Sequence, residues 1–370
     1  MRIHHLGKYY WPEFGGMETA AKEIAEAGQQ LGHDVRCFVA QANSVKRREE
    51  NVNGVHVVRL PTYGHVMSAP LSPYWLNLRE SDILHIHLPH PTAELAALWA
   101  LWWRPKGTRF MPYFHAFPSR QGRIGTFWFK NITARLFDRA EAILVSNKNI
   151  IHAFPQLQPW SAKFKILPFS TSTWDDKKIQ EHLAPRAAST SVIALGRLVK
   201  YKGYDILLKA WAKIMSEHPK FKTLQLSIVG IGPEWEYLTE IRRELKLEKQ
   251  VRMTGACTEA EKAKWLEGAS IFVAPSLSNS ETFGISMLEA MGCGLPVITT
   301  RIPTGVAILA REGKCGAVVT PGNVDELAAA LVRMLEDQAE RSKAGLANAE
   351  FARQNYSWEN LLTAYRELLR

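Results

Sequence analysis

The sequence predicts an α/β protein made of two doubly wound domains facing across a cleft, and three observations predict it. Short apolar runs (MRIHHLG, DVRCFVA, DILHIHL, AILVSN, SVIALG, LQLSIVG, SIFVAPS, PVITT) alternate with segments of helical periodicity, the pattern of parallel sheets covered by helices. The chain has 370 residues, more than the usual single domain of about 100–200. The alternation also pauses over Pro168–Ser191, where Pro, Ser, Thr and charge cluster without periodicity, before a new strand opens at Val192. Residues 1–170 are therefore expected to form one domain, 171–190 a linker and 191–350 a second domain, with 351–370 holding a last helix over Trp358–Leu369.

In chain order, a first strand leads to Gly15 and Gly16, which open a helix over Met17–Leu31 with apolar residues at Ala20, Ile24, Ala27 and Leu31. A glycine pair opening a helix is a candidate anion site, because first-turn amides have no intrahelical partner. DILHIHLPHP places His85 and His87 on one strand face with His90 nearby; with no acid or Cys spaced to complete a metal site, packed or cleft-lining histidines are expected. FMPYFHAFPSR brings a strand to its carboxyl end at His115, where doubly wound domains bind ligands. In the second half, ALGRLVKYKG puts Arg197, Lys200 and Lys202 just after a strand, where cations can neutralise a diphosphate or can simply be a solvated basic loop. VGIGPEWEYL carries Gly230 and Gly232 but lacks the third glycine of a dinucleotide fingerprint.

NSETFGISMLEAMGCGLPVITT, Asn279–Thr300, is the most informative stretch. A polar turn after strand SIFVAPS leads into a helix whose first turn is expected to hold Phe283, Gly284 and Ile285, flanked by Glu281 and Glu289. Eight helical residues rise about 12 Å, comparable to the reach from a sugar across a diphosphate to a ribose. Carboxylates repel phosphate but accept hydrogen bonds from hydroxyls, so an anion site between two acids suits a sugar nucleotide. A lone helical Glu is ordinarily solvent-exposed, yet Glu289 sits among Ile285, Met287, Leu288, Ala290 and Met291, and an unpartnered buried carboxylate is costly.

Composition narrows the partners. Apolar residues make up 46% and charged residues 22%, ordinary for a globular chain, while the net charge of +10 implies an acidic partner: nucleic acid, an anionic membrane or a phosphorylated ligand. The four cysteines are scattered without a CxxC pair, as in a reducing cytoplasm. The N-terminus lacks a signal-peptide core, and the longest apolar run, Leu95–Trp103, is far shorter than the ~20 residues needed to span a bilayer. A cytoplasmic protein, at most peripheral at the inner membrane face, is expected.

Together these elements resemble the retaining family-4 glycosyltransferases of the GT-B architecture, among them bacterial mannosyltransferases that build lipid-linked glycans. The resemblance rests on the Gly15–Gly16 loop, on Gly196–Gly203 and above all on Glu281-x7-Glu289 within ETFGISMLEAMGCGLPV, and it covers essentially the whole chain. It implies two Rossmann-like domains, with the final helix crossing back onto the first. It implies that Arg197 and Lys202 grip a diphosphate, that Glu289 holds ribose hydroxyls and Glu281 the donor sugar, and that the amides of Phe283–Ile285 contact sugar and phosphate. Gly16, beside Gly15, would approach the donor phosphate, Cys257 would lie by the base and His115 by the reactive face of the sugar. No cofactor and no metal are implied. Two departures fall on the acceptor side: His115-Ala116-Phe117 stands where many relatives read His-Ser-Asp, and Pro168-Phe169-Ser170 where a Pro-x-Gly is usual.

The basic excess is local. From Trp102 to Lys165 eleven Lys and Arg face only Asp138 and Glu141, interleaved with aromatics, a composition suited to an anionic membrane surface or to a basic surface over an aromatic core. No nucleic-acid-binding motif accompanies it. Expected partners are a nucleotide diphosphate sugar, with GDP-mannose favoured, and a polyprenyl-diphosphate-linked glycan acceptor; a UDP-hexose donor, or a sugar-nucleotide 2-epimerase of the same fold, are the alternatives.

Overall fold

The computed structural model describes residues 1–13, 15–42, 44–66, 69–77, 81–103, 107–117, 122–183 and 191–370. The chain divides into two units, one of Met1–Ser170 with Trp358–Arg370 and one of Thr171–Ser357.

In the first unit the strands are β1 (Arg2–Leu6), β2 (Asp34–Ala40), β3 (Arg48–Val52), β4 (Val55–Leu60), β5 (His65–Val66), β6 (Ala69–Pro70), β7 (Ile83–Leu88), β8 (Arg109–Phe110), β9 (Tyr113–Phe114), β10 (Ile143–Val145) and β11 (Phe164–Ile166). The main sheet runs β11-β10-β9-β7-β1-β2-β4-β3, with β8 beside β7 and β5-β6 a separate pair. Its ladder is parallel except where β3 returns antiparallel against β4. Every residue of β7 is buried, as expected of a parallel strand covered on both faces. The strand order reverses between β1 and β7, where His5 and His85 are register partners. The final helix, Trp358–Leu369, packs against helix Gly16–Gln30 of the same unit, and Trp358 Nε1 donates to Gln30 Oε1 at 2.7 Å.

Glu94 ties helix Pro91–Trp103 to its neighbour. It is 1% exposed; Oε1 accepts the His90 amide, while Oε2 accepts Trp128 Nε1 at 3.1 Å and Thr133 Oγ1 at 2.6 Å. Trp128 and Thr133 are five residues apart and would diverge on an α-helix, but the segment Phe129–Thr133 is a π-turn between helices Arg123–Trp128 and Ala134–Arg139. A π-turn closes i to i+5, which brings both donors to one oxygen.

The second unit holds β12 (Ser191–Leu195), β13 (Gln225–Val229), β14 (Val251–Met253), β15 (Ile271–Ala274), β16 (Val297–Thr300) and β17 (Gly316–Val319). They form one parallel sheet in the order β14-β13-β12-β15-β16-β17. This is the doubly wound order 3-2-1-4-5-6, whose switch point lies between β12 and β15. Its core gathers Trp211, Leu207, Leu208 and Ile214 of helix Tyr204–Glu217 with Leu327, Leu331 and Met334 of helix Val324–Glu336 against the sheet.

Two local expectations differ from what is observed. The stretch 171–190, read as aperiodic, carries helix Asp176–Leu183, seated by a fully buried Ile179; residues 184–190 of it lie outside the described residues. The helix read as starting at Phe283 begins at Ile285, because Gly284 adopts a left-handed φ of 93° that a right-handed helix cannot contain.

Replacing Glu94 with Ala should leave the Trp128 and Thr133 donors without their acceptor, a loss of about 2–4 kcal/mol, read as a lowered urea midpoint with secondary structure intact.

Candidate functional site

The loops that follow β12 and β15, neighbours at the switch point, grip each other. Leu277 N donates to the Tyr201 carbonyl at 2.7 Å. Gly203 has a φ of 70°, and a Cβ there would stand 2.2 Å from the Pro275 carbonyl oxygen, so only glycine lets the two loops meet. The contact puts Lys202 Nζ 2.5 Å from Glu281 Oε2, with both side chains largely buried. Ser276 Oγ also donates to Glu281 Oε2, at 3.1 Å. From the loop after β16, Thr304 Oγ1 donates to the Glu281 carbonyl at 2.7 Å, and from the last residue of β16, Thr300 Oγ1 donates to the Ser276 carbonyl at 2.6 Å. These bonds hold Glu281 in the turn before the helix, so its separation from Glu289 is not a helical rise.

Burial opposes the Lys202 charge, but the Glu281 carboxylate, with Tyr204 and Tyr201 nearby, more than offsets it and holds the ammonium above its ordinary range. Lys202, Glu281, Ser276, Gly284, Ser286 and Met287 line a small pocket at the amino end of helix Ile285–Gly292. The first amides of that helix have no intrahelical acceptor. The Phe283 ring is turned away into a T-shaped contact with Tyr356 at 5.5 Å and is 2% exposed, which leaves only its backbone available to a ligand. The Arg197 side chain is exposed and makes no hydrogen bond or ion pair to a described residue.

A second acid–lysine pair stands further along the same helix. Glu289 Oε1 lies 2.6 Å from Lys262 Nζ, which also reaches Glu259 at 2.7 Å. Burial raises the Glu289 carboxyl above its ordinary range, with Lys262 opposing that shift, and the same two groups influence the thiol of Cys257. Lys262 was not found by sequence reasoning. Its signal was present as a capping box: Thr258 Oγ1 accepts the Glu261 amide while Glu261 Oε2 accepts the Thr258 amide. That box starts helix Glu259–Gly268 just past the carboxyl end of β14 and puts Lys262 on its first turn. Gly230 and Gly232, weak as a nucleotide signal, serve packing: a Cβ on either would stand within 2.2 Å of the backbone oxygen of Gly196 or Leu198.

In the first unit, Gly15 and Gly16 stand at the start of helix Gly16–Gln30, with Gly15 in extended backbone. The loop before them is anchored by buried Arg59, which donates to the Trp11 carbonyl at 2.5 Å and pairs with Glu50. His115 is the first residue past β9 and is 6% exposed. Its Nε2 is 2.9 Å from His87 Nδ1, and His87 Nε2 is 3.2 Å from His5 Nδ1. His85 is spent on structure: one ring nitrogen contacts the Met111 carbonyl and the other the Tyr365 hydroxyl. Among the described residues no group of three or more His, Cys, Asp or Glu side chains is arranged to hold a metal ion. The structure thus gathers Lys202, Glu281 and Gly284 in one pocket and Glu289 with Cys257 beside Lys262, while Gly15, Gly16 and His115 belong to the other unit.

Burial depresses the buried histidines of this unit, His4 and His85 to about 4, His90 and His115 to about 3, and His5 and His87 well below 6.5. The folded chain keeps them neutral while the unfolded chain takes up protons below pH 6.5. Stability is therefore full above that pH and is lost as pH falls toward 3–4, by about 1.4 kcal/mol per pH unit for each histidine. Thermal unfolding between pH 7.5 and 5 should show a steep decline in Tm.

Known proteins match along nearly the whole chain. The model for the glycosyl transferase 4-like domain matches residues 15–169, and that for glycosyl transferases group 1 matches residues 175–351. A phosphatidyl-myo-inositol mannosyltransferase of Mycobacterium leprae is 28% identical over 97% of this chain and 93% of its own length. The O-antigen chain mannosyltransferase C of Escherichia coli is 23% identical over 100% of this chain and 98% of its own. Among solved structures, a sucrose-phosphate synthase from Thermosynechococcus elongatus superposes with a TM-score of 0.79 at 18% identity, covering 100% of this chain and 98% of that one. HepE of Anabaena, solved with UDP and glucose, gives a TM-score of 0.75 at 19% identity, over 100% and 99%.

Proposed function

The chain belongs to the family-4 glycosyltransferases of the GT-B architecture, and from that premise we propose that it moves mannose from GDP-mannose, with retention of anomeric configuration, to a lipid-linked glycan. One observation carries the reading: two largely buried carboxylates, each with its own lysine, flank a helix amino end at the switch point of a parallel sheet. Each acid is an acceptor fixed by its lysine for a neutral hydroxyl, Glu281 for the sugar and Glu289 for the ribose. Between them Lys202, the unpaired Arg197 and the amides from Phe283 to Ile285 suit the diphosphate, with Cys257 near the base. As the anomeric carbon parts from the diphosphate, negative charge grows on the leaving oxygens, and preorganised cations and amides stabilise it. Charge compensation by side chains makes the transfer metal-independent in this reading. The family resemblance extends to Gly15, Gly16 and His115 of the first unit, which we assign to the donor phosphate and the sugar. The two mannosyltransferase relatives support mannose, and their names point to lipid and O-antigen acceptors.

For the acceptor we propose work at the inner face of the cytoplasmic membrane. Leu95, Trp99 and Trp102 lie at i, i+4 and i+7 of helix Pro91–Trp103 and are all exposed, Trp102 by 81%. On the neighbouring helical segment Ile124 and Phe127 are exposed with Arg123, Lys130, Arg135 and Arg139. Apolar side chains with a basic fringe suit an anionic lipid surface. Arg104, Lys106 and Arg120, part of the same basic stretch, lie outside the described residues. No helix among the described residues is long and apolar enough to cross a membrane.

A thermal-shift screen of nucleotide sugars should give its largest rise with GDP-mannose; a larger rise with a UDP-hexose would reassign the donor, and an epimer formed from donor alone would replace transfer by epimerisation. Glu281→Ala and Arg197→Ala should each lower transfer by about a hundredfold, and an unchanged rate for either would remove its assigned role. The protein should sediment with anionic vesicles in a salt-sensitive way, and Trp99→Ser/Trp102→Ser should abolish that binding; no binding to such vesicles would overturn the membrane assignment.

A further inference from the structure

His5 and His87 line up behind His115 on one face of the first unit's sheet, and the chain of contacts they form has only two self-consistent proton arrangements. Each link, His5 Nδ1 to His87 Nε2 and His87 Nδ1 to His115 Nε2, needs one N–H and one lone pair. Burial keeps all three rings neutral, so His87 has a single proton to give. Either the N–H groups point from His5 toward His115, or all point back.

The far end decides between them. His5 Nε2 is buried and has no hydrogen-bond partner. Its neighbour His85, with ring centroids 4.8 Å apart, cannot serve it: the Met111 carbonyl requires a proton on His85 Nδ1, which leaves Nε2 to accept from the Tyr365 hydroxyl. If the chain pointed back, His5 Nε2 would carry an orphaned N–H; if it points forward, only a lone pair is orphaned. Buried N–H groups without acceptors are rarer and costlier than unmet acceptors. Tyr113 stacks on His115 at 4.3 Å, and Phe169 lies parallel at 6.3 Å, so the imidazole is held in plane.

We infer that His5 and His87 are positioning residues that place the proton of His115 on Nδ1, making that nitrogen a hydrogen-bond donor toward its ligand and not a base. Nδ1 makes no hydrogen bond to any described residue, so it is the nitrogen left for a ligand. The role in catalysis rests on the placement of His115 at the sugar proposed above; the proton arrangement does not.

The test is long-range 15N–1H correlation on the full chain labelled at histidine nitrogens, recorded without donor or acceptor at pH 7. His115 should be in the Nδ1–H form. His5→Asn, which can still donate from the same place, should keep it. His5→Asp, which offers only an acceptor when ionised, should reverse the chain and move His115 to Nε2–H. An Nε2–H or doubly protonated His115 in the unmodified protein would overturn the inference, whether or not the Asp variant folds; so would an unchanged tautomer in a folded His5→Asp protein. Transfer assays on the same proteins separate the two readings. Turnover about tenfold lower in His5→Asp with KM for the donor little changed, and restored in His5→Asn, is expected. Unchanged turnover with a reversed tautomer would instead remove His115 from the sugar and leave the relay standing.

Discussion

A carboxylate taken out of water must be matched by a cation or by hydrogen-bond donors, and much of the second unit is arranged around supplying a cation twice. Glu281 and Glu289 are each largely buried, and each sits about one hydrogen-bond length from a lysine brought by a different loop. The lysines cannot be supplied locally: Lys202 comes from the loop after β12 and Lys262 from the helix after β14, so sheet order itself assembles the pairs. The glycine at 203, the Thr300 and Thr304 hydroxyls and the Thr258 capping box act on the two pairs from outside, fixing the backbones that carry them. Breaking either pair would leave an uncompensated charge, whose cost far exceeds that of losing an exposed ion pair.

The first unit meets the problem of buried polarity differently. Burial strips the charge from His5, His85, His87 and His115, which bond to one another, to the Tyr365 hydroxyl and to the Met111 carbonyl and leave one nitrogen of His5 unmet. A charged pair is strong but fixed in sign, whereas a chain of neutral imidazoles carries direction, since each ring both gives and receives. The two units thus bring different chemistry to the carboxyl ends of their strands: compensated ions in one, oriented dipoles in the other.

Fold class was legible because parallel strands buried on both faces are continuous apolar runs, and none of the eight runs read as strands is interrupted by a charge that tertiary structure had to rescue, apart from Asp and Arg at strand starts. Glu281, Glu289 and Lys202 stood out because a charge in an apolar stretch, or cations just past a strand, are anomalies that call for a partner, and each is paired in the structure. Lys262 did not, since a lysine on a mostly exposed, charged helix is unremarkable until sheet order brings it to Glu289. The start of the helix at Ile285 was missed because glycine fits either a first turn or a left-handed break, and only the hydrogen bonds on Glu281 distinguish them. His5 drew no notice for a related reason: a strand's histidine gains meaning only when a neighbouring strand sets another beside it.

The π-turn at Phe129–Thr133 has a consequence for how this helix can vary. Deleting one residue there would restore α-helical spacing and swing everything after it by about 100°, carrying Leu136 and Phe137, both fully buried, off the core face. It would also part Trp128 from Thr133 at the Glu94 carboxylate. Substitutions along this stretch can be absorbed, but its length is counted to the residue, so homologous chains that keep the latch should align across it without a gap.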